Sequence, residues 1–280
     1  MTRGLLTAKD IRRLLAAHQL APRKASGQNF VVDPNIVRKV VRDAQVGPGD
    51  LVLEIGPGLG SLTLALREAG ARVIALEMDA GLVRALREVV GADEQIRVIH
   101  GDALRIGLGD LVDGGPAALV ANLPYNIATP VVLEALKTRA FSRLLVMVQR
   151  EVGERWAAGP GDPRYGAVSV KIRAQADAKV VGAVGRGAFY PAPNVDSVTV
   201  RLDPVHWRLG VEQEALFALI DRGFAQRRKR LRNALSVSGL TPAEIEQALT
   251  DAGLDPGARA EELDLAQWGD LARQLGAVPD

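Results

Sequence analysis

Between Asp50 and about Val148 the chain alternates short apolar runs with longer stretches whose apolar positions recur every three or four residues. LVLEI, RVIAL, IRVIH, AALVAN and RLLVMV contain few polar positions, which predicts strands buried on both faces. Between them SLTLALREAG, AGLVRALREVV and TPVVLEALKT have helical spacing, and Ser61, Asp79 and Thr129 stand where N-caps are expected. Strands and helices in alternation predict a doubly wound α/β fold with a parallel sheet. KVVGAV and DSVTVRL flank the Gly- and Pro-rich segment GRGAFYPAPNV, predicting an antiparallel pair that ends the sheet near Asp203. GPGDPR at 159–164 predicts a loop within this first domain.

Beyond Asp203 the pattern changes. EALFALIDRGFAQ, RRKRLRNALS, PAEIEQALTDAG and AQWGDLARQLG keep apolar spacings of three and four, with no β-rich run among them. A division into a core at 1–205 and a small all-helical domain at 206–280 follows. The start, MTRGLLTAKDIRRLL, reads as a basic amphipathic helix without a cleavage site, and no stretch approaches the ~18 apolar residues of a membrane span. A cytoplasmic protein with no membrane partner is expected.

Composition narrows the chemistry. The absence of cysteine excludes disulfides, thiol catalysis and cysteine-bound zinc, and the three histidines, His18, His100 and His206, lie far apart, so no metal site is expected. A net charge of +2 hides an asymmetry: residues 241–280 hold nine acids and two arginines, leaving +9 on residues 1–240. Residues 1–45 carry nine Lys/Arg against three Asp, and residues 222–232 carry six basic residues and no acid. Such runs suit a phosphate backbone, and equally a solvated helix face. Arg222, Arg227, Arg228, Lys229 and Arg230 are the candidate contacts to such a backbone.

Two motifs follow predicted strands. In Glu54-Ile55-Gly56-Pro57-Gly58-Leu59-Gly60, glycines at a strand-to-helix turn let the backbone bend sharply and approach a ligand. The G-x-G-x-G spacing is one residue shorter than that of dinucleotide folds, which disfavours NAD or FAD. Glu77, twenty-one residues after Gly56 and ending the second strand, can accept hydrogen bonds from both hydroxyls of a ribose, so loop and acid together point to a nucleoside cofactor. Asp102 could accept from an adenine amine, or could simply close a turn; Asp79 is assigned to a helix cap.

Asn122-Leu123-Pro124-Tyr125 follows the fourth strand, at the carboxyl edge where open α/β sheets bind ligands. An exocyclic adenine amine is a poor nucleophile because its lone pair is delocalised. The Asn122 side-chain oxygen and the Leu123 carbonyl can each accept one N–H, favouring a pyramidal nitrogen whose lone pair faces a methyl donor. Pro124 stiffens the turn and Tyr125 offers a face for an unstacked base, although Asn-x-Pro-Tyr is also an ordinary turn. In FYPAPNVDS, residues 189–197, Phe189 could cover the other face of that base; the alternative is a buried loop anchor, a role that suits Tyr190.

Together these residues resemble the small-subunit ribosomal RNA adenine dimethyltransferase family over nearly the whole chain. Seven ordered segments carry the resemblance: 27–30 (GQNF), 54–60, Glu77, 101–102, 122–125, 189–197 and 224–235. It implies a class I (Rossmann-like) methyltransferase core with a small helical C-terminal domain, S-adenosylmethionine as cofactor, and two adjacent adenosines in a hairpin near the 3′ end of small-subunit RNA as substrate. Asn29, Val31, Gly56, Gly58, Glu77, Asp102 and Asn122 then form the cofactor set, and Asn122, Leu123, Pro124, Tyr125 and Phe189 the catalytic set. Val31 stands where the family is expected to have Leu, and Ala192 where Pro is frequent. A monomer is expected. Alternatives are the large-subunit RNA adenine methyltransferases of antibiotic resistance, a mainly non-catalytic ribosome assembly factor and, more distantly, an NAD-dependent oxidoreductase.

Overall fold

The computed structural model describes residues 4–23, 27–113, 115–124, 126–207, 209–226, 229–236 and 240–276. The five apolar runs form parallel strands β2 (Leu51–Ile55), β3 (Arg72–Glu77), β4 (Ile96–His100), β5 (Ala117–Asn122) and β6 (Phe141–Gln149). Central strands must be apolar on both faces because helices cover both. Val52, Leu53, Leu119, Val120 and Ala121 are accordingly buried. β9 (Ser197–Pro204) runs antiparallel to β6, and β7 (Ala176–Val184) lies outside β9, so the full order is β4-β3-β2-β5-β6-β9-β7.

The order reverses between β2 and β5, which pair directly through Val52↔Ala118 and Leu53↔Leu119. This switch point brings the loops that leave both strands side by side at the carboxyl edge. A third segment reaches the same place. β1 (Phe30–Val31) pairs antiparallel with β8 (Phe189–Tyr190), through Phe30↔Tyr190 and Val31↔Phe189, and Ser61 Oγ donates to the Val31 carbonyl at 2.6 Å. Two-residue strands give no periodic signal, so this small sheet was invisible in the sequence.

Helix starts follow local chemistry. Asp33 caps α2 (Pro34–Ala44), with Pro34 in the first turn, and the stripe Val37, Val40, Val41 and Ala44 is buried. Asp79 caps α4 (Ala80–Val90) as expected, accepting from Gly81 N–H and Leu82 N–H at 2.7 and 3.1 Å. Two expected caps are corrected: Gly60 precedes α3 (Ser61–Glu68), whose Ser61 hydroxyl is spent on Val31, and Ile127 precedes α6 (Ala128–Thr138), leaving Thr129 inside the helix. The N-terminal helix α1 (Ala8–Ala17) has a Thr7/Asp10 capping box, and its Ile11, Leu14 and Leu15 share a core with Leu59, Leu82, Ala85 and Val89. No described helix is long and apolar enough to cross a membrane.

The chain divides into two compact units, Met1–Gly153 with Asp177–Pro204, and Glu154–Ala176 with Val205–Asp280. This differs from a single cut at 205, because residues 154–176 cluster with the helical unit. Tyr165 and Val170, the latter on α8 (Ala167–Arg173), are buried in one core with Leu216 and Leu219 of α9 (Gln213–Ala225) and Trp268 of α12 (Leu265–Gln274). Tyr165 Oη donates to the Leu263 carbonyl at 2.9 Å, and Phe224 stacks on Trp268 at 5.9 Å. A side chain at Gly223 would bring its Cβ within 2.5 Å of the Trp268 ring, so glycine is what lets α9 and α12 approach. A run of Gly and Pro between two short helices has no period that could announce this allegiance. α10 (Leu231–Leu235) and α11 (Pro242–Asp251) complete the unit.

Candidate active site

At the switch point lies a cavity of about 300 Å³. Residues 27–31, 54–59, 76–79 and 101–104 line it, with Arg23, Asn122, Pro124, Asn126 and Ile127 among the others. The first unit alone forms it.

The glycine loop is its floor. Gly56 and Gly58 adopt φ of +68° and +59°, a region that L side chains rarely enter. A Cβ on Gly58 would sit 2.9 Å from the Phe30 ring, whereas one on Gly56 would meet nothing nearer than Pro124 Cδ at 3.7 Å and the Asn122 carbonyl at 3.8 Å. Gly58 therefore admits the N-terminal segment, and Gly56 keeps backbone open toward a ligand.

Glu77 ends β3 inside this space and is 7% exposed. Its Oε2 accepts from Gly58 N–H at 3.1 Å and its Oε1 from Asp79 N–H at 2.9 Å. Burial raises its pKa, and these backbone donors pull in the opposite direction. Asp102 closes a turn by accepting from Leu104 N–H at 2.9 Å, and it also lines the cavity, so both readings of this residue are compatible. Val31 lines the wall and is buried.

Asn122 ends β5. Its Nδ2 donates at 3.0 Å to the carbonyl of Asn29, whose own Nδ2 donates to the Gly27 carbonyl at 3.1 Å. Spending Nδ2 on a fixed backbone carbonyl sets the amide's orientation, and among the described residues no donor reaches Oδ1. Leu123 N–H donates to the Met147 carbonyl at 3.1 Å, continuing the ladder with β6 and fixing the peptide that follows. Tyr125 lies outside the described residues.

Phe189 requires a correction. Pairing with Val31 brings its backbone to the site's N-terminal wall, but its ring is 4% exposed and packs in the sheet core with Val37, Val184 and Ala188. The anchor role read for Tyr190 belongs to Phe189, while Tyr190 is only half-buried beneath the Arg12 guanidinium, 5.1 Å from its ring centre. Phe189→Ala is therefore expected to destabilise the protein by about 3–5 kcal/mol, read as a lower thermal midpoint. A midpoint within about 2 °C of the parent would mean that the ring is not anchored in this core.

The cavity also draws on residues outside the predicted cofactor and catalytic sets, among them Met78, Leu104, Arg23 and Glu54. Met78 and Leu104 are apolar yet 64% and 44% exposed, at the cavity rim directly after Glu77 and two residues after Asp102. Large exposed apolar side chains beside a cavity offer faces to a flat ligand. Arg23 lies 3.2 Å from Asp79 Oδ2, and Glu54 is buried with its Oε2 accepting from the Thr63 hydroxyl at 2.6 Å. Position relative to the motifs was the available signal for Met78 and Leu104; nothing local marked Arg23. Among the described residues no group of three His, Asp or Glu could hold a metal ion.

In the second unit, Arg222 lies on α9, while Lys229 and Arg230 are exposed just before α10, with Arg230 bridging to Arg259. Arg227 and Arg228 lie outside the described residues.

A mostly parallel sheet with a short glycine loop, a buried acid ending the next strand and an Asn-x-Pro turn at the switch point is the architecture of a Rossmann-like methyltransferase. Solved structures agree on that fold: a dimethyladenosine transferase from Plasmodium falciparum superposes with a TM-score of 0.72 over 88% of this chain and 97% of its own, at 24% identity. The 23S rRNA methyltransferase ErmE gives 0.67 over 89% and 100%, at 25% identity. The chain belongs to the ribosomal RNA adenine dimethylase family, whose model matches residues 20–276. Among its relatives, ribosomal RNA small subunit methyltransferase A of Thermobifida fusca is 50% identical over 277 residues, covering 96% of this chain and 95% of that one. The Streptomyces coelicolor protein of that name is 47% identical over 279 residues, covering 96% of each.

Proposed function

We propose that this protein transfers methyl groups from S-adenosylmethionine to the N6 amines of two adjacent adenosines in a hairpin near the 3′ end of small-subunit ribosomal RNA, two per adenosine. The arrangement of Asn122 is the observation that carries this reading: its Nδ2 is held by Asn29 and its Oδ1 is left to accept. Relatives named for the small subunit reach 50% identity, against 25% for the large-subunit enzyme ErmE, which favours the small-subunit substrate. The protein acts as a cytoplasmic monomer on the immature subunit.

The cavity fits the cofactor by charge and shape. Carboxyls of Glu54, Glu77, Asp79 and Asp102 line it, suiting a cationic ligand, and open space over Gly56 admits the donor close to the backbone. When bound, the cofactor supplies a methyl group on a positively charged sulfur. Glu77 would hold the ribose hydroxyls with the lone pairs that Gly58 and Asp79 leave, Asp102 would accept from the adenine amine, and Met78 and Leu104 would cover the adenine faces. Asn29, Val31 and Gly56 border the methionyl end.

Asn122 Oδ1 and the Leu123 carbonyl accept the two N–H bonds of the target amine, holding it pyramidal with its lone pair toward the cavity. Pro124 keeps those acceptors in place, and Tyr125 supports the base turned out of its stack. The lone pair of the amine nitrogen would form the new bond to the methyl group that the bound cofactor supplies, with the thioether as leaving group, and the surplus proton on nitrogen would pass to solvent. After the first transfer one N–H remains for these acceptors.

Labelled methyl transfer to small subunits lacking the modification, followed by nucleoside analysis, tests the reading. Dimethyladenosine in the small subunit is expected; label confined to large subunits would overturn the substrate, and none in either would overturn the activity. Replacing Arg227, Arg228, Lys229 and Arg230 together by Ala should weaken RNA binding and reduce the slope of log affinity against log salt by about 3, at ~0.7–0.9 for each phosphate no longer neutralised. An unchanged slope would reduce the run to a solvated surface.

A further inference from the structure

Glu54 is a buried acid to which the proposed chemistry gives no contact of its own. It stands next to the end of β2, 1% exposed, and lines the cavity. Thr63 on α3 donates to its Oε2. The Thr63 backbone N–H also favours its charged form, and among the described residues no cation lies within ion-pair distance.

The surrounding charges make this unusual. β3 contributes Glu77, the start of α4 contributes Asp79, the turn after β4 contributes Asp102, and the N-terminal segment contributes Arg23. Arg23 is paired with Asp79 at 3.2 Å, and Asp102 lies 3.5 Å from Arg105. Glu54 and Glu77 are left as two buried carboxyls without a described counter-charge, and two ionised carboxylates lining one cavity repel while burial costs each its hydration. Ionising both at once is disfavoured. Glu77 is favoured in its charged form by the backbone N–H groups of Gly58, Met78 and Asp79, whereas Glu54 is served by Thr63 alone, through its hydroxyl and its N–H. The same ordering appears in their acidities: burial pushes Glu54 up to about 8, with Glu77 adding to the rise and Thr63 opposing it.

We propose that Glu54 is a neutral acid in the ligand-free cavity and gives up its proton when cationic S-adenosylmethionine enters, so that cofactor binding and ionisation of Glu54 are one event. This rests on the reading of the cavity as the cofactor site. The O–H bond of the Glu54 carboxyl breaks, the electron pair stays on oxygen facing the ligand's positive charge, and the proton leaves to the buffer. Thr63, still donating, then stabilises the carboxylate.

Calorimetric titration of the full chain with S-adenosylmethionine, in phosphate and in Tris at pH 7, counts the protons. With a free-state midpoint of about 8, the wild type should release roughly 0.9 more protons per ligand than Glu54→Gln. The ligand's own ionisation is common to both proteins and cancels in the comparison. Because the neutral acid must ionise to bind, wild-type affinity should fall about tenfold per unit as pH drops below 8 and level off above it, relative to Glu54→Gln. Thr63→Val removes the hydroxyl that favours the charged form, so its proton-release midpoint should move to higher pH; this variant carries the test if Glu54→Gln fails to fold. Equal proton release from wild type and Glu54→Gln, or an unmoved midpoint in Thr63→Val, would overturn the proposal. A wild type that does not bind S-adenosylmethionine at all would instead overturn the cofactor reading.

Discussion

Replacing Asn122 by alanine is expected to lower the rate of methyl transfer by about 10²–10³-fold while changing the affinity for S-adenosylmethionine by no more than severalfold. The target amine forms its hydrogen bonds to Asn122 Oδ1 and the Leu123 carbonyl most strongly as its nitrogen becomes pyramidal, so losing one acceptor raises the barrier more than it weakens binding. The Leu123 carbonyl survives in Asn122→Ala, since the peptide is held by the Met147 carbonyl, and residual activity is expected from it. Asn122→Asp is a sharper control. It keeps an acceptor but loses the Nδ2 donor to the Asn29 carbonyl, and it sets a carboxylate against that carbonyl, so it too should be impaired. Single-turnover transfer to undermethylated small subunits, with cofactor affinity measured separately, gives both quantities. A rate within threefold of wild type for Asn122→Ala would remove this residue from the chemistry.

Glu77→Ala should weaken S-adenosylmethionine binding by about two orders of magnitude or more, since two hydrogen bonds to a charged acceptor disappear at about 1.5–3 kcal/mol each. The same substitution strands Gly58 N–H and Asp79 N–H, which now donate to the carboxylate inside the protein. A second consequence is therefore a lower thermal midpoint even without ligand, at about 1–3 kcal/mol for each buried donor left unsatisfied. Glu77→Gln separates the two. Its amide oxygen can still accept one backbone N–H, so stability should recover in part while the hold on the ribose, which uses both carboxylate oxygens, stays weak. Calorimetry for affinity and thermal denaturation for stability are the measurements; unchanged affinity in Glu77→Ala would place the ribose elsewhere.

Much of this site could be read from the chain because its chemistry sits at strand ends. A parallel strand buried on both faces is a continuous apolar run, so Glu77 and Asn122 stand out as polar residues where such a run stops. Asp79 was legible as a cap because capping is local, involving residues two and three positions away. Ser61 and Thr129 had the right residue type for a cap, but packing decided otherwise: the Ser61 hydroxyl has a stronger claim in the Val31 carbonyl, thirty positions upstream. Phe189 was misplaced for a similar reason. An aromatic in a proline-rich loop looks the same in sequence whether its ring faces a ligand or a core.

By itself the sequence determined the elements and their order, the glycine turn, the acids that follow β3 and β4, and the family, because each is written in local spacing or in residue types at strand ends. The tertiary structure alone decided which distant groups meet. It set the Asn29 carbonyl against Asn122, ninety-three positions away, paired residues 30–31 with 189–190, and assigned residues 154–176 to the helical unit. It also sealed Glu54 away from water beside Glu77. Periodicity reports which face of an element is buried, whereas the environment of a carboxyl depends on every element packed around it, and no single segment carries that information.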